Sequence, residues 1–274
     1  MTSSRRTPIT TAITWSAVAF LWIPVALVVL FSFHRTGGLT FPFRGLSLRW
    51  YRIIFSSEEI RAAAMNSVII ALASTLVTTL FGTLAAWGLS RTPSRWRALV
   101  APLFFVPLTL PGLFIGIALL VFFREARVTL SLSTVTIAHL VYVLPYYLLI
   151  ARAALDRLDP MLDEVATDLG ATRWQTFTKV TLPQVWPVLV GAALLSFALS
   201  FDEFIITFFV IGPDSTLPMY IFSQLRRTVD PQINAIATLL LASVFALFGL
   251  TFAITRGTSR SRHALLDDLT GGRS

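Results

Sequence analysis

Six long apolar stretches separated by short polar intervals set the pattern of this 274-residue chain. They fall near residues 12–33, 65–90, 99–123, 132–153, 187–211 and 233–255. Each approaches or exceeds the ~20 apolar residues that an α-helix needs to cross a hydrocarbon layer. Inside a bilayer the backbone must satisfy its own polar groups, and unbroken runs of this length specify helices rather than barrel strands. The pattern predicts an all-α integral membrane protein with six transmembrane helices. It forms one domain over residues 1–274, with its core at 65–255.

One polar interval, 156–186, carries helix signals of its own. Asp159 suits an N-cap and Pro160 the first helical position, while Asp163 and Glu164 complement the positive end of the helix dipole. Gly170 supplies a left-handed C-cap that stops the helix after residue 169. Thr172 with Gln175 forms a capping box for a second helix, and Pro183 is expected to close it. A rigid soluble element held between the fourth and fifth spans reads as a handle for another protein. The segment 34–62 begins irregularly at Gly37-Gly38 and Pro42. It then sets Trp50, Tyr51, Ile53, Ile54 and Phe55 beside Arg49 and Arg52. That mixture predicts a short helix on the outer membrane surface, either an aromatic anchor or a docking surface.

Composition agrees with the membrane setting. Apolar residues make up 55% of the chain, charged residues 13%, and the mean hydropathy is +0.75. With the N-terminus inside, the cytoplasmic segments hold Arg5, Arg6, Arg91, Arg95, Arg97, Arg152, Arg157, Arg173, Lys179, Arg256, Arg260, Arg262 and Arg273. This bias predicts that both termini and the 156–186 interval are cytoplasmic. It also accounts for the net charge of +8 without a nucleic-acid partner, since no basic soluble face exists. The first apolar run is too long for a cleaved signal peptide and is expected to be retained. The absence of cysteine excludes disulfides, thiol catalysis and Cys-based metal sites. No phosphate-binding Gly-x-x-x-x-Gly-Lys-Ser/Thr occurs, and Lys179 is the only lysine. His-Glu-x-x-His and Gly-x-Ser-x-Gly are also missing, so the chain is read as a non-enzyme.

Within this frame, Glu164-Val165-Ala166, Gly170 and Val180-Thr181-Leu182-Pro183 resemble the cytoplasmic EAA loop of permease subunits of binding-protein-dependent ABC importers. The family spacing holds throughout, and Val165 replaces the usual alanine. Asn66-Ser67, residues 200–204 (Ser-Phe-Asp-Glu-Phe), Leu217-Pro218 and residues 230–235 are similar to the spermidine/putrescine permease branch, in particular its second permease subunit. The resemblance implies that the 156–186 loop is a coupling helix seated in a cytoplasmic ATPase. Asp163, Glu164, Ala166, Asp168, Gly170, Leu182 and Pro183 would carry that contact. It further implies a homologous second permease in a heterodimer, two ATP-binding subunits and an extracytoplasmic binding protein. The chain itself would hold no cofactor, ATP and magnesium belonging to the ATPase.

The second candidate site is Asp202-Glu203 in the fifth apolar run. An acidic residue at membrane depth costs about 2.5–3.5 kcal/mol on insertion scales, so two together need a reason. They read as a carboxylate for a cationic substrate or part of an outer gate. The alternative is a structural pair to Arg226, Arg227 or the backbone. Phe201, Phe204, Pro111 and Gly112 complete the expected pathway residues. Pro107, Pro111 and Gly112 predict a kinked or broken third span. In the polyamine branch an acidic residue tends to follow that proline, where this chain has Gly112. Phe104, Phe105, Phe114, Phe208 and Phe209 could add to a cation-attracting cage or simply pack. His139 is expected to make an interhelical hydrogen bond rather than a proton relay, and Pro145, Tyr146 and Tyr147 to kink the fourth helix and line the pathway or pack. The functional expectation is an ATP-driven importer of a small cation such as a polyamine. Another small solute handled by the same importer class, or a proton-coupled secondary transporter, is the alternative.

Overall fold

The computed structural model describes residues 8–37, 45–226, 231–246 and 249. Among them no strand forms, and a single isolated bridge joins His34 to Leu46. Helices α1 (Pro8–Ser32), α3 (Glu58–Arg91) and α6 (Leu132–Leu155) coincide with the first, second and fourth apolar stretches. A fourth helix of spanning length and hydropathy runs from Arg173 to Asp202. The third stretch is not one helix. It divides into α4 (Ser94–Thr109) and α5 (Gly112–Glu125), which meet at 104° and supply a fifth crossing if taken as a pair.

The break follows from proline chemistry. Pro111 has no N–H to continue the ladder, and its ring forces Leu110 into an extended conformation, φ −97° and ψ 131°. The sequence signal at Pro107, Pro111 and Gly112 thus marks a real interruption. In the sixth stretch the described helix is Pro231–Ala246, shorter than a full crossing. The remainder of that stretch, the two termini with Arg5, Arg6, Arg256, Arg260, Arg262 and Arg273, and also Gly38, Pro42, Arg227 and Asp230 lie outside the described residues.

The described chain divides into two compact units. One contains the residues up to Arg61 together with Tyr220–Ala246. Its local order comes from α2 (Arg49–Ser56), the short helix expected in the 34–62 segment. Trp50 and Ile54, one turn apart, are buried, while Phe55 on another face is exposed. Trp50 Nε1 donates to the carbonyl of His34 at 2.7 Å, and the Tyr51 hydroxyl meets Ser32 Oγ at 2.8 Å. These bonds tie α2 to the end of α1.

The other unit, Ala62–Met219, holds the main core. One apolar cluster joins Ile70, Ile115, Val135, Ile206 and Val210, and a second joins Ala86, Tyr147, Leu148, Val185 and Leu189. Polar links between elements are mostly hydroxyl or amide bonds, which suits an interior where charge is expensive. Asn66 Nδ2 donates to the Ser215 carbonyl at 2.9 Å, and the Leu217 N–H donates to Ser67 Oγ at 2.9 Å. Two motifs far apart in sequence, Asn66-Ser67 and Leu217-Pro218, are therefore one joint. Exposed side chains such as Leu76, Phe81 and Trp186 give the outside an apolar surface that lipid, not water, would solvate.

Candidate functional site

The 156–186 interval folds as a clamped knob. Helix α7 (Met161–Asp168) starts where the Asp159 carboxylate accepts the Met161 N–H at 3.0 Å, which satisfies one of the orphan donors of the first turn. It ends at Gly170, whose φ of +83° permits the reversal, and the Ala171 N–H reaches back to the Ala166 carbonyl at 3.0 Å. That six-to-one bond is the Schellman closure of a helix end. Gly170 ends the helix where the sequence placed its stop, whereas the N-cap position is held by Pro160, and Asp159 serves the first turn from one residue further back.

Ala166 is the one buried residue of α7. Asp163 forms an ion pair with Arg91 at the end of α3. Both side chains are partly solvated, so the pair contributes only about 0–1 kcal/mol and acts chiefly as a tether. Glu164 and Asp168 are exposed and have no side-chain partner among the described residues. The remaining face of the helix is apolar. Met161, Val165 and Leu169, at i, i+4 and i+8, form a stripe that is 63%, 50% and 83% exposed.

Beyond Gly170 the capping box forms as expected, with Thr172 N–H to Gln175 Oε1 at 2.8 Å and Gln175 N–H to Thr172 Oγ1 at 3.3 Å. Its helix, α8 (Arg173–Thr176), is not closed by Pro183. It passes through a π-helical turn, Phe177–Thr181, directly into α9 (Leu182–Asp202). The wider turn explains the difference. In an ordinary helix Pro183 would lack a bond and clash with the carbonyl four residues back, whereas an i→i+5 register makes room for the ring at the start of α9. Leu182 and Pro183 therefore continue a helix instead of redirecting the chain. Trp87 of α3 packs on this segment, 4.5 Å from the Phe177 ring and 6.4 Å from Trp174. Neither Trp87 nor the Asp163 partnership of Arg91 was foreseen, because an arginine at a span's end already had an explanation in the charge bias.

The fifth stretch is also broken. Asp202 ends α9, Glu203 takes an extended conformation with ψ 116°, and α10 (Ile205–Val210) begins two residues later. The two carboxylates thus flank a helix end rather than sharing one continuous helix, and they do different work. Glu203 Oε1 accepts the Ile206 N–H at 2.9 Å, capping α10. This is the backbone partnership set out as an alternative to a substrate role. Asp202 is exposed and belongs to neither ion pair found among the described residues, Arg91–Asp163 and Arg152–Asp156. Arg226 instead lies 4.4 Å over the Phe222 ring. The Tyr142 ring of α6 meets Tyr146 edge-on at 5.5 Å.

Gly112 and Gly116 bring α5 against α10. A Cβ on Gly112 would stand 3.6 Å from Ile206 and 3.9 Å from Glu203 Oε1, ordinary contact distances. A Cβ on Gly116 would stand 2.7 Å from Phe209 and 3.3 Å from the Ile206 Cα. The pair is a small-x-x-x-small contact of the kind that lets membrane helices approach closely. Pro111 is exposed at the α4–α5 corner. The phenylalanines are not gathered into one cage. Phe104, Phe105 and Phe209 pack on the two core clusters, Phe201 stacks on Phe197 at 5.7 Å, and Phe114 and Phe208 are exposed. Tyr147 is fully buried with its hydroxyl 2.7 Å from Thr83 Oγ1, and Pro145 is buried within α6. His139 is buried and makes interhelical bonds, as expected.

A chain with several apolar spans, a clamped knob in one interval and a helix break flanked by carboxylates has the features of a multi-pass membrane protein. Residues 78–261 match the family described as binding-protein-dependent transport system inner membrane component, and the chain belongs to that family. It is 32% identical over 240 residues to the spermidine/putrescine transport system permease protein PotC of Haemophilus influenzae, covering 87% of this chain and 93% of that protein. It is 34% identical over 234 residues to the putrescine transport system permease protein PotI of Escherichia coli K12, covering 82% and 83%. A solved bacterial ABC transporter involved in import of the acidic polysaccharide alginate has the same fold. Its TM-score is 0.71 at 16% identity, covering 90% of this chain and 96% of that one. The chain is accordingly an inner-membrane, multi-pass permease component of an ABC importer.

Proposed function

We propose that this permease moves a small polyamine, putrescine or spermidine, across the inner membrane by alternating access. Its similarity to PotC and PotI over more than four-fifths of its length carries the reading. The whole chain acts as one permease domain with six crossings, both termini and the 156–186 interval being cytoplasmic. It works as half of a heterodimer with a homologous permease, receives substrate from an extracytoplasmic binding protein, and is driven by two cytoplasmic ATP-binding subunits. ATP and magnesium belong to those subunits.

In this reading α7 is the coupling helix. Its exposed Met161–Val165–Leu169 stripe fits a groove, Glu164 and Asp168 meet basic residues beside it, and Gly170 sets the exit turn. Leu182 and Pro183 pass the motion into α9, since the helix is continuous from Arg173 to Asp202. Asp202, unpaired at the break, offers a carboxylate to an ammonium group, with Phe201 next to it at the end of α9. Phe204 follows at the break, where Glu203 holds the start of α10.

Uptake of labelled putrescine by cells carrying the complete transporter tests the reading. ATP-dependent uptake should vanish on deletion of 160–170. Glu164→Lys and Gly170→Pro should insert normally yet separate ATP hydrolysis from uptake. Substrate-stimulated turnover equal to wild type in both variants would remove the coupling role. A second reading, the same importer class with another small solute, is favoured by Gly112, because it leaves Glu203 without the neighbouring carboxylate expected for a polyamine. A ligand screen on the cognate binding protein separates the two.

A further inference from the structure

Five polar groups from four helices meet beside the α9–α10 break, and none of them belongs to the coupling knob. Ser74 Oγ of α3 lies 2.8 Å from Ser200 Oγ of α9, and Ser200 Oγ lies 2.8 Å from His139 Nδ1 of α6. His139 Nε2 lies 2.9 Å from Thr207 Oγ1 of α10, whose hydroxyl donates to the Glu203 carbonyl at 2.9 Å. All four side chains are at most 2% exposed.

The bonds fix the direction of the chain at its Thr207 end. Thr207 spends its only proton on the Glu203 carbonyl, so it accepts from His139, and Nε2 carries the hydrogen. In the neutral ring Nδ1 is then an acceptor facing Ser200 Oγ, whose single proton is shared between Nδ1 and Ser74 Oγ because the Ser74 hydroxyl donates to the Ile70 carbonyl at 2.8 Å. An imidazole here donates to one side of the break and accepts from the other. It therefore holds the last turn of α9 and the first turn of α10 at once. No apolar side chain does either, and a buried donor left unpaired costs enough to shift such a joint.

We propose that His139 is a positioning residue. Its ring pins the α9–α10 break through Ser200 and Thr207, so that Asp202 leaves the helix end in one fixed orientation while Glu203 stays committed to capping. The inference rests on the proposed role of Asp202 only for what the break presents. A readout that needs no transported solute keeps the two separable.

The chain contains no cysteine, which makes that readout direct. Asp202→Cys is introduced alone, and its modification rate by a trimethylammonium thiosulfonate is measured in the assembled, membrane-inserted transporter. His139→Leu should change the rate by about tenfold, Thr207→Val by a similar factor, and the double variant by no more than either alone. His139→Gln, whose amide reaches the position of Nε2 and keeps the Thr207 bond while giving up the Ser200 one, should fall between the parent and His139→Leu, whereas His139→Asn, which does not reach Thr207, should match Thr207→Val. Factors that multiply in the double variant, or an unchanged rate in His139→Leu at normal membrane levels, would overturn the proposal. Should the leucine and valine variants fail to accumulate, the Gln and Asn variants decide, and equal rates for those two overturn it as well. Loss of putrescine uptake in the wild type would refute the polyamine reading and leave this result standing.

Discussion

At the scale of single residues, the adjacent carboxylates show how location divides labour. The sequence makes Asp202 and Glu203 look equivalent, two acids in an apolar run. The break separates them, because Glu203 turns back to cap α10 while Asp202 has no polar partner among the described residues. Asp202→Asn should therefore lower uptake of a divalent cation by about tenfold or more, the scale of one desolvated charge contact, with membrane level and ATPase assembly unchanged. Glu203→Ala should behave differently. Losing a cap costs about 1 kcal/mol, so membrane accumulation or thermal stability should fall before transport kinetics do. Measured side by side, the two variants reverse their order if Glu203 is the substrate contact. Nothing in the composition distinguishes the pair, since only the tertiary break decides which carboxylate remains available.

At the scale of elements, the chain announced its starts, stops and breaks better than its continuities. Asp159, Gly170, Thr172 and Gln175 could be read because each cap is a local backbone problem solved by a side chain within three residues. The α4–α5 corner was legible for the same reason, proline geometry being local. Two features were not. The π turn at Phe177–Thr181 has no signature of its own, and it converts Pro183 from a terminator into part of a continuing helix. The break after Asp202 contains neither proline nor glycine, and bonds from Ile206 and Thr207 to Glu203 organise it. The α5–α10 contact depends on two glycines of unequal importance. Gly116→Val should lower stability by about 2 kcal/mol or more, or prevent accumulation, because its Cβ would meet Phe209 and backbone of α10. Gly112→Ala, with only ordinary contacts ahead of it, should be nearly neutral. Accumulation in the membrane and detergent thermal stability check both. Equal effects would mean that α5 does not rest on α10 through Gly116.

For the molecule as a whole, the question is how a displacement of α7 reaches a break at the far end of α9. The connected path on this chain begins with α7, tethered to α3 by Asp163–Arg91 and followed by the aromatic contact of Trp87 with Phe177. It continues as helix from Arg173 to Asp202, about 45 Å at 1.5 Å per residue, long enough to connect the knob to the carboxylate without an intervening loop. A displacement of α7 would thus act on α9 as on a lever. In the proposed coupling the input to that lever is the Met161–Val165–Leu169 stripe, and its chemistry is apolar, so the decisive variant is a charge placed there rather than one removed nearby. Val165→Asp should insert normally, since residue 165 is exposed, but it would bury an unpaired carboxylate in any apolar groove that receives α7. Co-purification with the ATP-binding subunits should fall by at least about tenfold, and uptake should be lost with it. Val165→Ile, which keeps the surface apolar, should retain both. If Val165→Asp assembles and transports like the parent, the stripe is not the input, and the tether at Asp163–Arg91 becomes the place where force enters.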